Sequence, residues 1–145
     1  LWNESGPCED LLIENNTFVD CLYGGQKGHY VIMIDPQYSN DDYMVSKYSK
    51  NITIRNNTFK TFNPKIMLAI SVDGLKFENN KIFQTNTYPA YTKENETLKI
   101  ENSNNVSIRN NSFKALEGGK GSVLVDQKST DIYLSEDSVF DKTKN

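Results

Sequence analysis

One short pattern occurs five times along the chain, and this repetition constrains the fold more than any other feature of the sequence. Two copies, "NITIRNNTFK" (51–60) and "NVSIRNNSFK" (105–114), are almost identical, and looser copies lie at 11–20, 74–83 and 131–140. The copies alternate apolar and polar residues, and most continue into a pair of asparagines followed by a phenylalanine. Repetition of this kind is typical of solenoids, in which each repeat packs only on its neighbours.

The repeats align on one polar column: Asn16, Asn57, Asn80, Asn111, and Asp137 in the fifth copy. Successive members are 41, 23, 31 and 26 residues apart. The shortest interval is the basic unit, and the longer intervals contain insertions, at about 36–50 and 84–96. We therefore expect a single domain over residues 1–145 that carries two insertions.

Each unit contains two runs with a period of two residues. The first is the repeat itself, whose matching apolar positions are Ile13, Ile54, Phe77, Ile108 and Leu134. The second precedes the next repeat and lies at 31–35, 67–71, 98–102 and 123–127. Such runs predict strands, and no segment sustains the period of a helix. The sequence therefore predicts an all-β parallel β-helix of about five coils; a leucine-rich repeat, the main alternative, has more even repeats and depends on leucine.

The asparagines and phenylalanines of the repeat have expected structural roles. Stacked asparagine side chains form amide ladders along a solenoid. Asparagine also tolerates the left-handed backbone that a corner between two strands needs. The phenylalanine after each pair is expected to turn inward and to stack on its equivalent in the next coil.

The composition excludes several classes of function. The net charge is −3, whereas nucleic-acid binding needs a clustered basic face, so no nucleic-acid partner is expected. No apolar run is long enough to span a membrane. One histidine and two cysteines do not supply the four ligands of a structural zinc site, and we expect neither a metal nor another cofactor. Cys8 and Cys21 either form a disulfide or, as we favour slightly, are two small buried residues that act as apolar side chains.

Acidic residues follow the second strand of the units and indicate a candidate site on one face. The residues expected to point inward on these strands are Ile34, Ile70, Ile100 and Val125. The residues after them are then expected to point outward: Asp35, Ser71, Glu101 and Asp126. A second outward row is expected two residues earlier: Met33, Ala69, Lys99 and Leu124. An ordinary solvated face is the alternative interpretation.

The spacing of the coils limits what these acids can do in pairs. Neighbouring strands lie about 4.8 Å apart, which places Asp126 beside Glu101 and puts Asp35 about 9.6 Å from Glu101 across two coils. Retaining glycosidases separate their two carboxyl groups by about 5 Å, and inverting ones by about 6.5–9.5 Å. Neither pair is excluded on these distances, and neither is strongly indicated.

The first insertion combines acids with aromatic residues, a combination suited to carbohydrate: Tyr38, Asp41, Asp42, Tyr43 and Tyr48. Aromatic rings stack on sugar faces, and acids bind hydroxyl groups or protonate leaving groups. Loops on a rigid scaffold are also where binding residues concentrate. The alternative is a flap that covers the core. The second insertion adds Tyr88 and Tyr91, and His29 is either a proton carrier or an ordinary loop residue.

The motif resembles the right-handed parallel β-helix repeats of carbohydrate-active enzymes. More narrowly, "LWNESGPCEDLLIENNTFVDCLYG" (1–24) followed by "VIMIDP" (31–36) resembles the later coils of the Bacteroides-type α-1,3-galactosidases of glycoside hydrolase family 110. This resemblance implies an exo-acting, inverting enzyme that removes terminal α-1,3-linked galactose with carboxylates on the β-helix face and without a metal. The residues that flank Asp41 and Asp42 do not allow either aspartate to be matched to one of the family's catalytic acids.

The candidate residues follow from these arguments together. The candidates for catalysis are Asp35, Asp41, Asp42 and Glu101. The candidates for binding a terminal galactoside are His29, Tyr38, Tyr43, Tyr48 and Asp126. A non-catalytic glycan-binding or structural module is the alternative from another class of function. A calcium-dependent polysaccharide lyase, with Lys99 near Glu101 and Asp126, is the weakest of the three.

The resemblance also implies a context for the chain. Family members are several times longer, so we expect these residues to be the last coils of a glycosidase, without its upstream coils, and to be inactive alone. The whole protein is expected in the periplasm or outside a bacterial cell, with its signal peptide not among these residues. An open first coil would leave strand edges unpaired, so we expect end-to-end association into a homodimer.

Overall fold

The structure, a computed structural model, describes residues 6–24, 28–36, 47–91, 96–136 and 139–144. Within these ranges the chain forms fourteen strands and no helix. The strands, numbered in chain order, assemble into three sheets in which every pairing is parallel. The sheets are called A, B and C below.

Each sheet takes every third strand of the chain, except that β14 follows β12 in sheet C. Sheet A contains β1 (Leu12–Glu14), β4 (Ser49–Arg55), β7 (Val72–Glu78), β10 (Asn104–Arg109) and β13 (Thr130–Leu134). Sheet B contains β2 (Thr17–Val19), β5 (Thr58–Thr61), β8 (Lys81–Gln84) and β11 (Ser112–Lys114). Sheet C contains β3 (Ile32–Ile34), β6 (Met67–Ile70), β9 (Glu96–Glu101), β12 (Gly121–Val125) and β14 (Phe140–Lys144).

This arrangement is a parallel β-helix, and the predicted fold class is confirmed. One coil runs through sheets A, B and C in turn, and sheet A shows five successive coils. The sequence pattern predicted two strands per coil, in sheets A and C. It missed the third strand, in sheet B, because the residues after each asparagine pair were assigned to a corner and a core side chain.

The strand register in sheet A confirms the repeat alignment. Ile13 pairs with Ile54, and Ile54 pairs with Phe77. Phe77 pairs with Ile108, and Ile108 pairs with Leu134. The uneven spacing of the repeats therefore comes from the segments between strands, while the strands themselves stay in register. Side chains from all three sheets meet in one apolar core along the axis of the coils.

The predicted phenylalanine stack is confirmed in the first two coils only. The rings of Phe18 and Phe59 have centroids 4.8 Å apart and planes inclined by 6°. In the third coil Ile82, rather than Phe83, pairs with Phe59 and is buried, so the expected position of Phe83 was wrong. The stack instead continues toward sheet A, since the Phe59 ring lies 6.2 Å from that of Phe77.

The predicted asparagine ladder is confirmed over four coils. The backbone N–H of Asn16 donates to Oδ1 of Asn57 at 3.0 Å, and the side-chain amide of Asn16 donates to the same oxygen at 3.2 Å. The same two bonds join Asn57 to Asn80 and Asn80 to Asn111. The fifth member of the column, Asp137, lies outside the described residues.

Left-handed residues form two columns at fixed positions in the coil. The residue before each ladder asparagine has φ between 53° and 58°: Asn15, Asn56, Asn79 and Asn110. The second column lies at the start of sheet A: Asp10, Asn51, Gly74, Asn105 and Asp131. Its one glycine, Gly74, is closely packed, because a Cβ there would lie 3.2 Å from Oδ1 of Asn51 and would require the Asn51 side chain to shift. Both columns match the preference of Asn, Asp and Gly for positive φ.

Both cysteines are free thiols. Cys8 is partly buried and packs against the core, as expected of a small apolar residue. Cys21 is exposed, so the expectation that both are buried was wrong. Its Sγ lies 3.7 Å from the carbonyl oxygen of Val19, within the turn that follows β2.

Candidate functional site

The outward side of sheet C carries the predicted acids, with one correction of register. Ile34 pairs with Ala69, and Ala69 pairs with Ile100, so Ala69 lies in the inward column and is fully buried. Ile70, which pairs with Glu101, lies in the outward column. The predicted orientations of Ala69 and Ile70 are therefore wrong.

The corrected outward column carries three acids and one isoleucine: Asp35, Ile70, Glu101 and Asp126. Ser71, predicted in this column, is buried at the next corner with φ of 59°. The second outward row is Met33, Leu68, Lys99 and Leu124. The register still places Asp35 and Glu101 two coils apart on one face. We call the outward side of sheet C, with Asp35, Glu96 and Glu101, the acid-bearing face.

Two ion pairs organise the charges of this face. Nζ of Lys99 lies 2.8 Å from Oε1 of Glu101, two residues along β9. Nζ of Lys65 lies 3.4 Å from Oε1 of Glu96 at the start of the same strand. The side chains of the first pair keep about a third of their surface exposed, at 29% and 32%. Those of the second pair are more buried, at 14% and 16%.

Glu96 is a carboxyl group that the sequence analysis missed. Burial raises its pKa, the Lys99 ammonium opposes this shift, and the Glu101 carboxylate reinforces it. The pKa of Lys99 is raised mainly by its hydrogen bond to Glu101. Burial therefore outweighs the neighbouring cations in setting the pKa of Glu96, although Nζ of Lys65 lies 3.4 Å from its Oε1.

Ionisation of Glu96 is expected to destabilise the fold as the pH rises. Because the pKa of Glu96 is raised above its ordinary value of 4.5, the folded chain holds this proton more tightly than the unfolded chain. The resulting stabilisation is complete below pH 4.5 and is lost as the pH rises through the folded pKa. Glu96→Gln removes this dependence. The melting temperature of the variant, relative to the native chain, should therefore increase between about pH 4 and pH 7.

The exposed Glu117 offers a control for this measurement, since Glu117→Gln changes the same net charge away from sheet C. Its melting temperature relative to the native chain should stay nearly constant over the same pH range. A relative melting temperature of Glu96→Gln that stays constant or falls would contradict the assignment of a buried, proton-binding Glu96.

Asp126 is occupied with the corner that leads from sheet C to sheet A. Its Oδ1 accepts the backbone N–H of Asn102 at 3.1 Å and the hydroxyl of Ser129 at 2.6 Å. These bonds hold the corner, and they favour a structural role for Asp126. Its predicted role in substrate binding is not tested by this geometry.

Lys47 belongs to the same corner and was also missed. Its Nζ donates to Oδ1 of Asn102 at 2.7 Å. Burial lowers the pKa of Lys47, and the Asp126 and Asp73 carboxylates oppose this shift. The Lys47 ammonium therefore lies near the Asp126 carboxylate, at the end of the outward acid column, and offsets its negative charge.

The remaining predicted residues divide into two groups. Tyr48 is partly buried, and its backbone N–H donates to Oγ of Ser71 at 3.0 Å, while His29 is exposed. The other four lie outside the described residues: Tyr38, Asp41, Asp42 and Tyr43. The structure therefore brings Asp35 and Glu101 to one face and leaves the roles of the first insertion as predictions.

The described part of the chain contains neither a metal-binding cluster nor a membrane-spanning helix. No three His, Cys, Asp or Glu side chains within it lie close enough together to hold a metal ion. A helix that could cross a membrane is likewise not found among these residues.

Comparison with known proteins gives a family and several relatives. Residues 5–145 match the family model described as the right-handed β-helix region. Alpha-1,3-galactosidase A of Bacteroides fragilis is 47% identical over 89 residues, which are 61% of this chain and 14% of that protein. Alpha-1,3-galactosidase B of Bacteroides thetaiotaomicron is 33% identical over 144 residues, or 96% of this chain and 23% of that protein. The chain therefore spans between about a seventh and a quarter of the length of these two relatives.

Proposed function

Because the chain belongs to the right-handed β-helix family, we propose that it forms part of a glycoside hydrolase that releases terminal α-1,3-linked galactose. The observation that carries this proposal is the acid-bearing face, on which Asp35 and Glu101 share a column two coils apart. The names of the two relatives support the substrate class. The proposed location is the periplasm or the exterior of a bacterial cell.

Inversion at the anomeric carbon is the proposed stereochemical course. Two coils separate the strands of Asp35 and Glu101 by about 9.6 Å, at the upper end of the range that leaves room for a water molecule. Glu101 is the proposed general base, and the Lys99 ammonium, 2.8 Å from its Oε1, holds this carboxylate in place. Asp35, two coils away on the same face, is then the proposed proton donor to the leaving oxygen.

The site is proposed to be incomplete in this chain. The chain carries a candidate pair of carboxyl groups, but the relatives are at least four times longer, so other coils are proposed to complete the substrate pocket around the pair. The chain alone is expected to bind galactose without releasing it from a glycoside. The missing groups would come from other coils of a longer protein.

Crystals of the chain soaked with galactose and with α-1,3-galactobiose test the proposal. We expect a sugar ring on the acid-bearing face, in contact with Asp35 or Glu101. The variant Glu101→Gln should lose this binding in solution, whereas Glu117→Gln should keep it. An empty face in well-diffracting crystals would overturn the assignment of the site. Release of galactose by the chain alone would overturn the proposal that the site is incomplete.

A further inference from the structure

Three tyrosines from two different coils meet at the corner between sheets B and C. Tyr23 follows β2, and both Tyr88 and Tyr91 follow β8. The rings of Tyr23 and Tyr88 have centroids 4.5 Å apart, although 65 residues separate them in the sequence. Between them lies the corner of the second coil, which contributes Phe62. We call these four residues the tyrosine corner.

Phe62 anchors the corner to the core. It is 2% exposed, and the rings of Tyr88 and Tyr91 contact it edge-on at 5.3 and 5.5 Å. Edge-to-face contacts of this kind fix the ring orientations. Tyr23 is held by its own turn, since its backbone N–H donates to the carbonyl of Asp20 at 2.9 Å. The aromatic surface is therefore built before any ligand arrives.

The three tyrosines nevertheless remain open to solvent. Tyr23 is 67% exposed, Tyr88 39% and Tyr91 36%. A flap whose only role is to cover Phe62 needs Tyr88 and Tyr91 but does not need Tyr23, which contacts the outer side of the cluster. Exposed aromatic groups of this size mark binding surfaces more often than single exposed apolar residues do.

Hydroxyl groups next to Tyr88 in the sequence are suited to a polyhydroxylated ligand. The hydroxyl groups of Thr85 and Thr87 lie 3.1 Å apart just before Tyr88. Among the described residues, two buried oxygens at this corner have no hydrogen-bond partner, Oδ1 of Asp20 and Oδ1 of Asn63. Both lie beneath the surface, out of reach of a ligand on the exposed rings, and each can accept a hydrogen bond from a buried water. The segment 85–91 carries no charged residue, and its hydroxyl groups suit a neutral sugar.

The position of the corner relates it to the acid-bearing face. Tyr88 and Tyr91 precede β9, whose last residue is Glu101. Five residue steps along this strand span about 16 Å. This length separates Glu101 from Glu96, and the tyrosines lie at the corner between sheets B and C, on the Glu96 side of the strand.

We infer that the tyrosine corner is a stacking site for inner pyranose rings of the glycan whose terminal galactose occupies the acid-bearing face. The identity of this glycan rests on the proposed function. An aromatic ring stacks on the apolar side of a pyranose, and the surrounding threonine hydroxyls bind its hydroxyl groups. The corner thus adds affinity for longer glycans and takes no part in bond cleavage.

Calorimetric titration with two probes tests the inference: α-1,3-galactobiose, and a linear pentasaccharide that ends in α-1,3-linked galactose. The native chain is expected to bind the pentasaccharide at least about tenfold more tightly than the disaccharide. Tyr23→Ala should weaken binding of the pentasaccharide roughly tenfold and leave the disaccharide unchanged. Tyr23→Phe keeps the ring and should keep most of the affinity.

Tyr133→Ala is the matched control, because Tyr133 is a 57% exposed tyrosine on β13 in sheet A. It should change neither affinity. Equal affinity for the two probes, or an unchanged affinity of Tyr23→Ala for the pentasaccharide, would overturn the inference. The failure of the proposed function has a different signature. Pentasaccharide binding that depends on Tyr23 but not on Glu101, with no binding of the disaccharide, would support the corner in a non-catalytic glycan-binding module and overturn the hydrolase.

Discussion

Phe59→Ala is expected to lower the free energy of unfolding by about 3–5 kcal/mol, one of the two largest effects of any single substitution proposed for this chain. Phe59 is fully buried at the centre of the coils. Its ring stacks on Phe18 at 4.8 Å and approaches Phe77 at 6.2 Å. The substitution removes both contacts and leaves a cavity that the strands cannot close, because the strand register holds the coils in place on both sides.

Urea denaturation followed by circular dichroism measures this loss. Phe83→Ala is the matched control, since Phe83 is a partly exposed phenylalanine on the outward side of β8, next to Lys60 on β5. It should cost about 1 kcal/mol, because much of its ring remains in contact with water in the native chain. A loss for Phe59→Ala no larger than that for Phe83→Ala would contradict the assignment of the core column.

The repeat predicted those features of the fold that recur in every coil. The asparagine column was visible because the same residue type returns at each corner, and the ladder needs an amide at every step. The same register also contains a signal that was overlooked. Glu14, Arg55, Glu78 and Arg109 follow the matched apolar residues of sheet A and alternate in charge. The structure joins Arg55 to Glu14 at 2.7 Å and Arg109 to Glu78 at 2.6 Å.

The errors arose where alternation between apolar and polar residues is absent. In β6 the run Met67, Leu68, Ala69, Ile70 is apolar throughout, so its inward side could not be read from the pattern. Leu68 points outward yet is only 7% exposed, which explains why an apolar residue is tolerated there. The strands of sheet B have only three or four residues each, too few to display a period of two.

The candidate site was only partly predictable for a different reason. Asp35 and Glu101 occupy equivalent positions at the ends of two strand segments, so the repeat alone placed them on one face. Glu96 stands at the start of β9, where the register of that strand with β12 shifts, and a regular alternation does not predict its orientation. The tyrosine corner depends on a contact between the first and third coils, and no local pattern in the sequence indicates it.

The asparagine ladder is expected to contribute as much to the free energy of unfolding as the aromatic stack does. It acts through hydrogen bonds, whereas the stack acts through apolar contacts. Asn80 stands in the middle of the ladder and is 1% exposed. Its Oδ1 accepts the backbone N–H and the side-chain amide of Asn57, at 3.0 and 3.1 Å. Its Nδ2 donates to the carbonyl of Ile54 at 3.0 Å and to Oδ1 of Asn111 at 3.2 Å. Removal of this amide would leave buried groups of two neighbouring coils without partners.

Asn80→Ala should therefore cost about 3–5 kcal/mol, since each buried group left unpaired costs about 1–3 kcal/mol. The measurement is again urea denaturation. Asn79→Gly is the matched control, because Asn79 is exposed and has φ of 55°, which glycine adopts without strain, so its cost should stay within a few tenths of a kcal/mol. Asn16→Ala, at the exposed end of the ladder, should fall between the two. Equal losses for Asn80→Ala and Asn16→Ala would show that burial does not set the strength of the ladder, and the argument from unpaired groups would fail.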